Sequence, residues 1–163
     1  ANGFLTREQF GREYFYEILT NHKEVRWGIG KVSEKMIDRI NIKNATELAM
    51  ERAIKNLKKN FRVKPDFLII DGNHIKNHKL KTNNYKLIVK ADEKVFSCAA
   101  ASILAKVTRD GIMEKYHQKY PQYGFDRHKG YGAKEHLKML KKYGHCEIHR
   151  KSFKPVVSKR FSG

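Results

Sequence analysis

The chain is predicted to be a single α/β domain, because two short apolar runs each lead into an acid and helical patterns flank both. The runs are Phe67-Leu68-Ile69-Ile70, followed by Asp71-Gly72, and Leu87-Ile88-Val89, followed by Asp92. Continuous apolar runs of this length have the pattern of strands buried on both faces. An acid at the end of such a strand stands at the sheet edge where α/β proteins usually bind their ligands. A chain of 163 residues is long enough to build one domain with a core.

Thr6 and Gln9 have the spacing of a capping box, and Phe10, Tyr14, Phe15, Ile18 and Leu19 follow at helical intervals. An amphipathic first helix is expected there. Val25 to Val32, VRWGIGKV, alternates as a strand does, with Gly28 and Gly30 marking close backbone approach or twist. Ser33 is placed to cap a short helical turn through Ile37 and Asp38. Asn44 then opens a helix to about Lys59 with Ala45, Leu48, Ala49, Ala53 and Leu57 on its apolar face.

Asn73 to Tyr85 is polar and basic without periodicity and reads as a loop over the site. After Asp92 one long helix is expected to about Lys119. In it Ala99, Ala100, Ala101 and Ala105 are small enough to approach a sheet, and Ser102, Lys106 and Arg109 form a polar and basic stripe. Pro121 to Gly132, PQYGFDRHKGYG, reads as a loop, Ala133 to Tyr143 as a last helix closed by Gly144, and the remainder as a basic, irregular tail.

The charge balance selects the partner. Lys and Arg total 35 against 17 Asp and Glu, a formal charge of +18 spread along the whole chain, which points to a polyanion and first to nucleic acid. A membrane partner is not expected, since no run approaches spanning length and no lipidation signal is present. Cys98 and Cys146 form no paired framework and no secretory signal precedes them, so a cytoplasmic setting is expected.

Asp92 follows Asp71 by 21 residues, room enough for the chain to return and lay two parallel strands side by side. Their carboxylates would then converge, an arrangement that suits a hard cation such as Mg²⁺ or Mn²⁺ bridging phosphate oxygens. The other reading of the same pair is structural, with one acid capping the following helix and the other turning with Gly72.

Taken together and in order, IIDG, KADEK, SCAAASILAKVTRD, YPQYGFDRHKGYG and IHRKSFKPV resemble ribonuclease HII, the type 2 ribonuclease H, as do WGIGKVS and INIKNATELAMERA. The resemblance covers Leu5 to Val156. It implies a ribonuclease H-like fold, a mixed sheet flanked by helices with a C-terminal helical segment. Residues 1–120 would be the core, and 121–163 a substrate-contacting loop, helix and basic tail of the same domain. It also implies an endonuclease that hydrolyses the RNA strand of RNA–DNA hybrids and cuts 5′ of ribonucleotides embedded in duplex DNA, with a Mg²⁺- or Mn²⁺-activated water. Asp71 and Asp92 match two of the family's four metal-holding acids. Tyr131, in HKGYG, matches the tyrosine that packs against the sugar at the RNA-to-DNA junction.

The family's other two acids are an adjacent Asp-Glu pair on its first strand, followed by a Gly-Arg-Gly loop, and neither occurs in these 163 residues. With two of four ligands, the chain alone is expected to be inactive or weakly active. The first strands of the family sheet are missing with them, which would part Val25 to Val32 from the sheet and leave strand edges unpaired. Truncation is the favoured explanation; a separate N-terminal segment completing the sheet is another. The third is a decayed relative that binds nucleic acid without cutting. Lys106, Arg109, His128, Lys129 and Arg150 are candidates to contact phosphates, against a reading as a solvated basic face. Ser97 is a further substrate-contact candidate or an ordinary helix cap. His145, Cys146 and His149 offer three corners of a zinc site without a fourth ligand, and a structural role is favoured.

Overall fold

A computed structural model describes residues 7–75, 80, 84–153 and 156. In order these form α1 (Arg7–Asn21), α2 (Glu34–Phe61), β1 (Leu68–Asp71), β2 (Tyr85–Ile88), α3 (Ala91–Lys94), α4 (Phe96–Lys119), a 3-10 turn (Pro121–Tyr123), α5 (Phe125–His128) and α6 (Lys134–Tyr143). The chain divides into two compact units. One comprises Ala1–Lys31 with Thr46–Val107, the other Val32–Ala45 with Thr108–Gly163.

In the first unit, α1 forms where the apolar spacing placed it, although Thr6 of the expected capping box lies outside the described residues. Its apolar face is largely open: Leu19 is buried, while Phe10, Tyr14, Phe15 and Ile18 are exposed. The expected strand at Val25 to Val32 makes no ladder among the described residues. Instead Val25 to Lys31 lies along α2, whose side chains bond two of its backbone groups: Ile29 N–H donates to Asn56 Oδ1 at 3.1 Å, and the Arg52 guanidinium donates to the Lys31 carbonyl at 2.5 Å. Gly28 and Gly30 permit the contact. A Cβ on Gly30 would lie 2.6 Å from Ala53 N and against the carbonyl of Ala49, both backbone atoms that cannot swing aside. Gly30→Ala is therefore expected to cost about 1–3 kcal/mol by overpacking. Gly11→Ala, where an added methyl meets nothing within 4 Å inside a helix, is expected to stabilise by roughly 0.5–1 kcal/mol. Urea denaturation of the two variants measures both.

β1 and β2 pair in parallel, Leu68 opposite Tyr85 and Asp71 opposite Ile88, as the two-strand reading anticipated. Three details differ. β2 begins at Tyr85 and ends at Ile88, so Val89 lies in a turn and Tyr85 belongs to the sheet and not to the loop. The strands are not buried on both faces: Ile70 is the buried residue of β1, whereas Phe67, Tyr85 and Val89 are exposed, because the described sheet has only these two strands to cover. Asp92 does not end a strand; it lies in the first turn of α3. Of the expected loop, Lys76 to Lys79 and Lys81 to Asn83 lie outside the described residues, and Leu80 is buried.

The single helix expected after Asp92 is two helices. Lys90 takes a left-handed conformation (φ 56°), and Val95 is extended (φ −131°, ψ 118°), which ends α3 after one turn and starts α4 at Phe96. Leu104 is buried in α4, but Ala101 and Ala105 are exposed, so the small-residue face is only partly covered.

In the second unit Ser33 caps α2 as expected, its Oγ accepting the Met36 N–H at 3.4 Å. The predicted break before Asn44 is present three residues earlier. Asn41 adopts φ 64°, ψ 166°, and its Oδ1 accepts the Asn44 N–H at 3.2 Å, so asparagine at 41 restarts the helix. Tyr123, Phe125 and Leu140 make the core, with Met113, Tyr116 and Ile148 packed against it. The segment expected as a loop from Pro121 is instead wound into the 3-10 turn and α5, and Tyr123 stacks on Phe125 at 5.4 Å between ring centres. α6 ends at Gly144 as predicted (φ 74°), whose carbonyl accepts the Tyr123 hydroxyl at 3.0 Å. Asp38 holds the chain after α6, accepting the backbone N–H groups of Lys151 at 2.8 Å and Ser152 at 3.0 Å. Among the described residues no helix is long and apolar enough to cross a membrane.

Candidate functional site

The acid at the end of β1 is tied to the helix after β2. Asp71 Oδ1 accepts the Ala91 N–H at 3.1 Å, and Asp92 is the next residue. The cause is local: parallel pairing brings both strand ends to one edge, Gly72 N–H donates to the Ile88 carbonyl at 3.1 Å, and the left-handed Lys90 turns the chain so that Ala91 faces back to Asp71. One oxygen of Asp71 thus binds the first N–H of α3, whereas the structural reading gave the cap to Asp92 and the Gly72 turn to Asp71; Asp92 lies inside α3 instead. Asp71 is exposed and Asp92 half-buried.

Cys98 senses both. Its thiol donates weakly to the Ile69 carbonyl at 3.8 Å. Burial raises its pKa, and the Asp71 charge and then the Asp92 charge push it the same way, against a hydrogen bond with Ser97. Two carboxylates at one edge are oxygen donors of the type that Mg²⁺ and Mn²⁺ accept. No cluster of three or more His, Cys, Asp or Glu arranged to hold a metal ion is present among the described residues. Ser97 is the exposed second residue of α4, and Lys106 is exposed on the same helix.

The second unit carries the tyrosine loop. Lys129 (φ 48°) and Gly130 (φ 81°) are both left-handed, a sharp reversal that leaves Tyr131 62% exposed. Arg109 lies 4.9 Å over the Tyr131 ring and donates to its hydroxyl, while its Nε and one terminal nitrogen bind Asp110 Oδ1 at 2.8 and 2.6 Å. Lys129 is paired with Glu114 at 2.8 Å, its side chain 8% exposed. His128 turns inward, its Nε2 2.7 Å from the Tyr123 carbonyl and its ring stacked 4.4 Å from His136. The Arg150 guanidinium covers Phe153 at 4.4 Å. Arg109, Lys129, His128 and Tyr131 are therefore gathered in one unit, and Asp71, Asp92, Ser97 and Lys106 belong to the other. A cavity of about 360 Å³ in the second unit has Arg109, Lys129, Gly130, His136, His149 and Arg150 on its wall.

His149 is buried, and of the two residues singled out with it Cys146 meets it, Sγ 3.1 Å from Nδ1, while the other imidazole it bonds is His136 and not His145. Cys146 N–H donates to His149 Nδ1 at 3.0 Å, and His149 Nε2 lies 3.0 Å from His136 Nε2. Sequence reading passed over His136. Its signal was its place four residues before Leu140, on the buried stripe of α6. Burial lowers the pKa of His136 against the pull of the Tyr131 carbonyl. Burial, and then the His136 charge, lower that of His149 from 6.5 to about 4, with His145 and His128 adding to the effect. Both imidazoles fold neutral, so the unfolded chain takes up more protons in acid. The stability this contributes is complete above pH 6.5 and is lost as the pH falls toward 4. For His149 the loss should reach about 2 kcal/mol by pH 5. His149→Gln, which cannot titrate, should flatten the fall of the urea midpoint between pH 7.5 and 5.

A family model described as Ribonuclease HII matches residues 6–156. The Ribonuclease HII of Chlamydia abortus is 53% identical over 140 residues, 86% of this chain and 62% of the relative. That of Chlamydia trachomatis serovar L2 is 49% identical over 145 residues, 89% of this chain and 63% of the relative. That of Acetivibrio thermocellus is 50% identical over 149 residues, 91% of this chain and 54% of the relative. The chain thus spans less than two thirds of the length of these relatives.

Proposed function

The chain belongs to the ribonuclease HII family, and from that premise we propose that it is the larger part of an endonuclease acting on RNA joined or paired to DNA. The substrates are RNA–DNA hybrids, cut in the RNA strand, and duplex DNA cut 5′ of an embedded ribonucleotide. The observation that carries this reading is the Asp71–Ala91 hydrogen bond, which keeps the acid at the end of β1 beside Asp92.

In this reading Asp71 and Asp92 hold Mg²⁺ or Mn²⁺. A divalent ion held by these two carboxylates would supply activation of water and neutralisation of phosphate charge. Two carboxylates fit such an ion in donor type and fall short in number, so within these 163 residues the ion keeps most of its water and binds weakly. Tyr131 presents an aromatic face to the sugar at the RNA-to-DNA junction, where the 2′-hydroxyl distinguishes RNA from DNA. Arg109 orients that ring. Lys106, Lys129, His128 and Ser97 are the further substrate contacts, and a surplus of 18 positive charges draws the polyanion in. The setting is cytoplasmic.

The shortage of acids favours one second reading, a catalytically incomplete fragment or decayed relative that binds nucleic acid without cutting. Product ends test the chemistry. Attack by water leaves a 3′-hydroxyl and a 5′-phosphate, whereas attack by the neighbouring 2′-hydroxyl leaves a cyclic phosphate. Cyclic ends, from the chain supplied with the family's Asp-Glu segment, would refute the proposal.

A further inference from the structure

The two buried imidazoles of the second unit make a directed chain of hydrogen bonds. Cys146 N–H donates to His149 Nδ1, so that nitrogen is an acceptor and the proton of neutral His149 sits on Nε2. His149 Nε2–H donates across 3.0 Å to His136 Nε2. His136 must then carry its own proton on Nδ1, which donates to the backbone carbonyl of Tyr131 at 2.8 Å. One tautomer of each ring satisfies every contact, and the last acceptor is the residue whose ring stands exposed at the loop tip.

Packing alone does not call for this chemistry. His136 and His149 do touch Phe125, with ring centres at 5.5 and 5.6 Å, yet aliphatic side chains fill such space without the cost of burying polar nitrogens. What imidazoles add is direction. Tyr131 has little burial to hold it, and it follows two residues in left-handed conformations. Arg109 holds its ring; on the backbone, its N–H donates to the His128 carbonyl at 2.8 Å, and its carbonyl accepts from His136 and from the Ala133 N–H at 2.9 Å, so His136 is the side chain that holds the carbonyl.

We propose that His136, backed by His149, is a positioning residue that fixes the backbone of Tyr131 so that its ring meets the sugar at a ribonucleotide junction. The inference rests on the reading of Tyr131 given above and assigns the selectivity of that site to two residues that touch no substrate.

Paired variants separate positioning from packing. His136→Asn keeps an N–H able to reach the Tyr131 carbonyl, and His136→Leu does not. His149→Gln keeps a donor toward His136, and His149→Asn keeps only the acceptor for Cys146 N–H; both lose the ring. Two quantities are measured on the 163-residue chain: the NMR signals of the ¹³C-labelled Tyr131 ring, and the ratio of affinities for a DNA duplex carrying one ribonucleotide and the same all-DNA duplex. The expected result is a wild-type-like ring signal and ratio in His136→Asn and His149→Gln. In His136→Leu and His149→Asn the ring signal should shift or broaden and the ratio fall about fivefold, the loss of one hydrogen bond, with all-DNA binding within twofold of wild type. If His136→Leu does not fold, the His149 pair carries the comparison. Equal ring signals within each pair would overturn the tether. A Tyr131→Ala ratio equal to that of the wild type would overturn the sugar reading, and the proposed selectivity role with it.

Discussion

Asparagine in place of Asp71 or Asp92 is expected to lower cleavage by about 100-fold or more, roughly 2.7 kcal/mol of barrier, in the chain supplied with the family's Asp-Glu segment. The substitution isolates charge from structure. Asp71 Oδ1 accepts the Ala91 N–H, and the amide oxygen left by Asp71→Asn can accept the same bond, so thermal stability should change little. Asp71→Ala loses the cap as well and should cost about 1 kcal/mol of folding stability. Hybrid binding should hold or tighten in both asparagine variants, because a negative charge leaves a basic protein. Equal loss of binding and cleavage would mean that the acids act on the fold.

The second large effect is on salt. A chain of formal charge +18 that meets six or more phosphates should lose about 10³-fold in hybrid affinity between 50 and 200 mM salt. The structure divides the lysines. Lys106 is exposed, and Lys106→Ala should lower the slope of log K against log salt by about 1. Lys129 is shared with Glu114, so Lys129→Ala should lower the slope by less than Lys106→Ala does while removing a support of the tyrosine loop.

The parts of this molecule that were legible in sequence are those decided by local chemistry. Ser33 and Gly144 are helix boundaries because a hydroxyl and a positive φ act within a few residues. The parallel pairing of β1 and β2 followed from two apolar runs and the length between them. Long-range partners were not legible. Val25 to Lys31 has a strand's alternation, but a strand needs a neighbour, and here the Ile29 N–H and the Lys31 carbonyl bond instead to Asn56 and Arg52 of α2. The α1 face is apolar as its periodicity indicated and largely exposed, since periodicity tells which side is greasy and not what meets it. At the candidate site the expectation was that Asp71 and Asp92 converge at the ends of two strands; the one-turn helix that carries Asp92 instead depends on the left-handed Lys90, which nothing in the residue type announces. The place of His136 on the buried stripe of α6 was legible, whereas its partners, the Tyr131 carbonyl five residues back and the His149 imidazole thirteen ahead, were not, because periodicity does not name them.

The central claim is that these residues carry half of a metal-dependent cutting site. Mn²⁺- or Mg²⁺-dependent cleavage of a DNA duplex carrying one ribonucleotide, with and without an added N-terminal family segment bearing the Asp-Glu pair, tests it most directly. The account predicts cleavage only after addition. Cleavage by the bare 163 residues, or binding without cleavage in both cases, would contradict it.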